Sequence, residues 1–134
     1  MNKENLFIKF PIGVVYQNAK GEITDANKSA QEILGLSIEQ MQGRKSIDPR
    51  WKSIKEDGSD FPGNEHPAII ALNTGRVIQD VIMGVFHPKK NDIVWINIHA
   101  SPEFKNGEKK PFQVFTTFTD ITTKMHDRAN LISS

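Results

Sequence analysis

The chain has 134 residues, 37% hydrophobic and 25% charged, the length and composition of one folded domain, which excludes collagen-like, low-complexity and wholly disordered readings. Seventeen Lys and Arg stand against sixteen Asp and Glu, a net +1, so there is no electrostatic footprint for nucleic acid. The absence of cysteine excludes disulfides, thiolate metal sites, a cysteine nucleophile, a cysteine–flavin adduct and a thioester-linked chromophore. No apolar run approaches the ~20 residues of a membrane span, and the N-terminus lacks a signal-peptide core. A soluble, cytoplasmic single domain without membrane contact is expected.

Residues 1–10 read as a flank in which Leu6, Phe7, Ile8 and Phe10 could form one apolar turn before Pro11. Residues 12–16 are apolar and β-branched, Asn18-Ala19-Lys20-Gly21 supplies a turn, and residues 22–26 resume: a hairpin. Asn27 in front and Gly35 behind delimit a short helix over 28–34. Ser37 and Gln40 have capping-box spacing for a second over 38–42, stopped by Gly43. Residues 44–64 are irregular, anchored by Trp51, Ile54 and Phe61. Pro67 opens a helix that runs to Asn73 before Gly75. Strand-like runs follow at 77–86, 93–101 and 112–119, and the stretch from Ile121 has helical spacing.

Two strands, several short helices and three long strands predict an α+β domain with helices on one face of an antiparallel sheet. In the second long run Val94, Ile96, Ile98 and Ala100 alternate with Trp95, Asn97, His99 and Ser101, so the aliphatic row should face the helices.

Four segments in register resemble the PAS family, sensory modules of prokaryotic signalling proteins such as sensor histidine kinases and diguanylate cyclases. PIGVVYQNAKGEITDANKSAQEILG (11–35) resembles its opening hairpin and Asn-capped helix, and EDGSDFPGNEHPAIIALNTG (56–75) is similar to a prokaryotic variant. WINIHASPEF (95–104) resembles the penultimate strand, and TDIT (119–122) the Asp-Ile-Thr closing triplet. The resemblance implies a PAS fold over 11–122, a five-stranded antiparallel sheet in the order 2-1-5-4-3, with 123–134 opening a linker helix.

It also implies a non-catalytic sensor that binds a small apolar or amphipathic molecule between sheet and helices. The expected lining is Ile96, Ile98 and Ala100 with Val114, Thr116 and Phe118, chosen by strand parity. Leu34, Met41, Ile69 and Leu72 would form the helical walls, and Trp51 and Phe61 would close the irregular side. Asp120, Ile121 and Thr122, with Thr122 as a helix cap, would relay the signal to an effector domain in the same full-length chain. A second reading is a ligand-free scaffold that forms homodimers. Its interface would be an outward Trp95 beside Tyr16 and Phe115, covered by Phe7 and Phe10.

The remaining polar residues are read plainly. In the haem-binding members of the family the chain resembles, the ligand projects from the interior of the long helix, whereas His66 precedes Pro67 at the helix entrance, where it packs or caps, so haem is not expected. His99 is a half-exposed sheet residue, and His87 and His126 have no evident partner. Glu56, Asp57, Asp60 and Glu65 form a solvated loop without calcium-loop spacing. Lys89-Lys90 and Lys109-Lys110 are basic hairpin tips rather than a nucleic-acid surface.

Overall fold

The opening hairpin forms as its turn chemistry dictates, from β1 (Gly13–Asn18) and β2 (Ile23–Ala26). Asn18 Oδ1 accepts the N–H groups of Lys20 and Glu22, each at 3.0 Å, and Gly21 takes φ 84° between them. The computed structural model in which this is seen describes residues 11–46 and 48–133. The flank with Phe7 and Phe10 lies outside them.

Asn27 caps α1 (Lys28–Leu34) by accepting the Ala30 N–H at 2.9 Å, and the same Oδ1 accepts the Val14 N–H at 3.0 Å, which ties helix to hairpin. Both arms of the Ser37–Gln40 capping box are made at α2 (Ile38–Met41). A 3-10 turn (Pro49–Trp51), the two-residue strand β3 (Ser53–Ile54) and a second 3-10 turn (Gly63–Glu65) lead into α3 (Pro67–Thr74). The long strands β4 (Ile78–His87), β5 (Asp92–Glu103) and β6 (Gln113–Asp120) follow, and then α4 (Thr122–Ser133).

The sheet is antiparallel with six strands, in the order β2-β1-β6-β5-β4-β3, rather than the expected five. The five expected strands keep their expected order, and β3 is added at the edge beyond β4. Two residues cannot show a period-two pattern, so nothing local announces β3. Its existence depends on Gly84 of β4, the partner of Ile54. A Cβ there would lie 2.9 Å from Ile54 Cγ1 and 3.1 Å from the Trp95 ring.

The helices cover one face. Val94, Ile96, Ile98 and Ala100 are all buried, as their alternation requires. The larger core cluster joins Val94, Ile96 and Ile98 to Val15, Ile33, Leu34, Met41, Met83, Val85 and Phe118. A smaller one, Ala68 and Ala71 against Ala100 and Val114, lets α3 approach the sheet on small side chains, with Leu72 and Ile78 at its margin.

Candidate ligand cavity

Between the two clusters the core does not close. A cavity of about 90 Å³ remains, floored by Val15, Met83, Val85, Ile96, Ile98 and Phe118 and walled by Ile23, Leu34, Pro67 and Ala68. Five polar side chains also face it: Gln17, Ser46, Ser53, His66 and Thr116. No charged carboxylate, lysine or arginine is among its lining residues.

Six of the residues chosen by parity and helix position border this space: Leu34, Trp51, Ile96, Ile98, Thr116 and Phe118. The others lie elsewhere. Met41 is wholly buried in the adjoining core. Ala100, Val114 and Leu72 belong to the α3 contact. The Ile69 Cδ1 reaches over the β1–β2 turn, 3.2 Å from where a Cβ on Gly21 would stand. Phe61 faces an outer cleft of about 490 Å³ that shares Ser46, Trp51 and Ser53 with the cavity. Trp51 thus forms part of the partition. Its indole N–H donates to Lys45 O at 3.0 Å, and the Arg44 guanidinium stands 5.2 Å over the ring. The neighbouring Asp48–Arg50 pair, at 2.6 Å, holds the Asp48 carboxyl well below the usual carboxylate range.

Gln17, Met83 and Val85 were available to the same parity argument applied to β1 and β4. Ser46 and Ser53 carried no signal, because the irregular segment that holds them has no period.

His66 packs rather than caps: it precedes α3 without a side-chain capping bond. Its Nε2 is 3.1 Å from Phe61 O and 3.0 Å from Ser53 Oγ. A carbonyl can only accept, so the proton sits on Nε2. That nitrogen is thus engaged within the protein.

Burial pushes the His66 pKa below its ordinary 6.5, while the Phe61 bond and Glu65 oppose the shift. Below pH 6.5 the unfolded chain binds a proton that folded His66 refuses. Stability is therefore full above pH 6.5 and falls between 6.5 and the lowered folded value, by up to about 1.4 kcal/mol per pH unit. Urea midpoints from pH 7.5 to 5 should decline for the wild type and less steeply for His66→Gln, which keeps an N–H donor.

His87, for which no partner was expected, is buried and doubly bonded. Lys90 N–H donates to its Nδ1 at 3.1 Å, so its Nε2–H donates to Glu32 O at 3.2 Å. The sequence offered no hint because Glu32 is 55 residues away.

At the far end of the sheet, Asp120 Oδ1 accepts the Thr122 N–H at 2.9 Å and the Thr122 hydroxyl at 2.6 Å. Thr122 Oγ1 accepts the Trp95 N–H at 3.0 Å, and Ile121 N–H donates to Trp95 O at 2.8 Å. Capping thus falls to Asp120 rather than to Thr122, which is the first helical residue. Asp120→Ala should cost this junction about 1 kcal/mol. The expected reading is a severalfold faster hydrogen exchange at the amides of Trp95 and residues 122–125, with the central β5 amides unchanged.

On the outer face Tyr16 and Phe115 do pair, with ring centroids 5.4 Å apart. Trp95 does not join them. Phe115 lies opposite Ser101, six residues along β5 from Trp95, roughly 20 Å at the rise of a strand. The indole covers Gly84 instead. His99, 43% exposed at its side chain, is 3.7 Å from Asp80, which sits at the β4 bulge with φ 56°. The acidic loop is partnered locally by Lys55–Glu65 and Asp57–Ser59 contacts. Among the described residues no cluster of three or more metal-ligating side chains occurs, and no helix is long and apolar enough to cross a membrane.

An antiparallel sheet with short capped helices enclosing a cavity on one face, and a C-terminal helix anchored beside it, defines a class of small α+β domains. The family model for the PAS domain matches residues 11–123. The chain belongs to the PAS family, whose members are generally non-catalytic sensory modules of signalling proteins, histidine kinases among them. A PAS domain from Colwellia psychrerythraea is 21% identical, with a TM-score of 0.63, over 90% of this chain and 95% of that one. A sensory box histidine kinase/response regulator from Burkholderia thailandensis is 14% identical, TM-score 0.64, over 98% and 94%. A blue-light activated histidine kinase from Erythrobacter litoralis is 12% identical, TM-score 0.65, and the match takes in 90% of this chain and 36% of that one. These likenesses establish the fold. No curated protein matches the sequence.

Proposed function

We propose that this domain is the non-catalytic sensor of a larger cytoplasmic signalling protein, with a histidine kinase or diguanylate cyclase as effector in the same chain. A small, largely apolar molecule binds between sheet and helices, and the change is relayed through Asp120, Ile121 and Thr122. The observation that carries this reading is the cavity itself: core residues of four central strands and two helices leave about 90 Å³ unfilled between sheet and helices, where packing to crystal density is the norm. The relay reading is supported by the Trp95–Thr122–Asp120 bonds, which tie a cavity-bearing strand to the exit helix.

Native mass spectrometry of the protein as purified, gentle enough to keep non-covalent partners, tests the binding claim. Extra mass per chain supports it, and its size identifies the ligand. A bare chain that also fails to bind in a small-molecule screen overturns it.

The Tyr16–Phe115 pair on the outer face favours, as a second reading, a homodimerisation scaffold. Tyr16→Glu or Phe115→Glu then yields monomers on sedimentation, and a dimer that survives both changes overturns that reading.

A further inference from the structure

Resting on the ligand-binding reading, we infer that the cavity and the outer cleft are two chambers of one site, parted by the Trp51 ring. Its occupant is a single-chain amphiphile, with an apolar tail in the cavity and a hydroxyl head in the cleft. Ser46, Trp51 and Ser53 border both spaces, so the wall between them is one side chain thick. Two of the three are serines, and the indole is the only bulk in it.

The volumes ask for such a ligand. About 90 Å³ holds about four heavy atoms, on the scale by which a ~150 Å³ cavity holds benzene. The cleft adds about 490 Å³ and brings the joined space into the ordinary range of small-molecule sites, ~300–1,000 Å³. The lining changes across the partition in the same sense. The inner chamber is floored by aliphatic side chains and Phe118 and has no charged group. In the cleft, Ile54 and Ile93 continue the apolar path, and Lys52 and Asp60 end it. The Lys52 ammonium stands 5.6 Å over the Phe86 ring, and neither it nor the Asp60 carboxylate is in an ion pair among the described residues, whereas Asp48 is taken by Arg50. A hydroxyl accepts from an ammonium and donates to a carboxylate, so this mouth suits an alcohol.

The partition is built to yield. The polar restraints on its side chain are one hydrogen bond, from the indole N–H to Lys45 O at 3.0 Å, and the Arg44 guanidinium 5.2 Å over the ring. Trp51 ends a three-residue 3-10 turn, and Lys52 directly after it takes φ 41°, in the left-handed region that a side chain resists. The closed turn therefore carries strain that a swing of the ring releases.

The test is an NMR titration of the chain with 1-propanol and 1-octanol, read at isoleucine methyls and at the Trp51 indole N–H. Propanol fits the cavity alone and should shift Ile96 and Ile98 but not Ile54 or Ile93. Octanol should bind one per chain, with NOEs from its terminal methyl to Ile96 and from its C1 protons to Ile93. It should also shift the indole N–H as the Lys45 bond opens. Each methylene buried is worth about fourfold, so octanol should bind at least 100-fold tighter than propanol. Trp51→Phe keeps a ring against the core but shrinks the partition and removes its hydrogen bond. It should tighten octanol at least threefold and leave propanol within twofold. Octanol held wholly in the cavity or wholly in the cleft overturns the inference, as does octanol refused while propanol binds, or octanol indifferent to Trp51→Phe. The ligand-binding reading survives those results while propanol shifts Ile96 and Ile98. If neither alcohol shifts them, that reading falls as well.

Discussion

Replacing Gly35 by alanine is expected to destabilise the domain by about 3 kcal/mol, read as a shift of the urea midpoint at constant slope. Gly35 ends α1 with φ 71°, a left-handed conformation that costs a residue with a Cβ about 1–2 kcal/mol. The added methyl would also meet the ring of His87 at Cε1 and Nδ1. That ring cannot step aside freely, because Glu32 O and the Lys90 N–H hold its two nitrogens. Overpacking of this kind adds about 1–3 kcal/mol. A double-mutant cycle separates the terms: in a His87→Ala background the Gly35→Ala cost should fall to the backbone contribution alone. Equal costs in both backgrounds would show that the helix end relaxes and the His87 contact is soft.

The second large effect concerns the cavity. Leu34→Phe adds three carbons at its wall, roughly 75 Å³ on the scale of benzene in a ~150 Å³ cavity, against about 90 Å³ of space. Ligand affinity should drop at least 100-fold while the Tm holds or rises, since the new ring gains contacts without displacing any. Loss of affinity accompanied by loss of stability would instead mean that Leu34 has no room on the cavity side.

Much of this molecule was legible because its signals are local. Asn27, Gly35 and the Ser37–Gln40 box each act within four residues of the helix end they set, and the alternation through 94–101 identifies the buried face unaided. What was illegible is non-local. The pairing of β3 depends on Gly84, thirty residues on, and the position of Trp95 depends on a strand register that sequence parity cannot supply. Parity tells which face a side chain takes, not how far along the sheet it stands. Hence Thr116 was placed on the correct face of β6, while Ala100 and Val114, on the same face, turned out to lie under α3. The polar wall came from Ser46, Ser53 and His66, whose positions are set by tertiary contacts.

Trp95 is bonded at both ends of its backbone to the start of α4, and the next residue, Ile96, forms part of the cavity floor. The floor and the pivot of the exit helix are therefore consecutive residues of one strand. The twelve residues of α4 extend about 18 Å at a rise of 1.5 Å per residue. A rotation of about 10° at that anchor would sweep the far end of the helix through about 3 Å. On the relay proposed above, a small yield of the strand is therefore magnified along the helix.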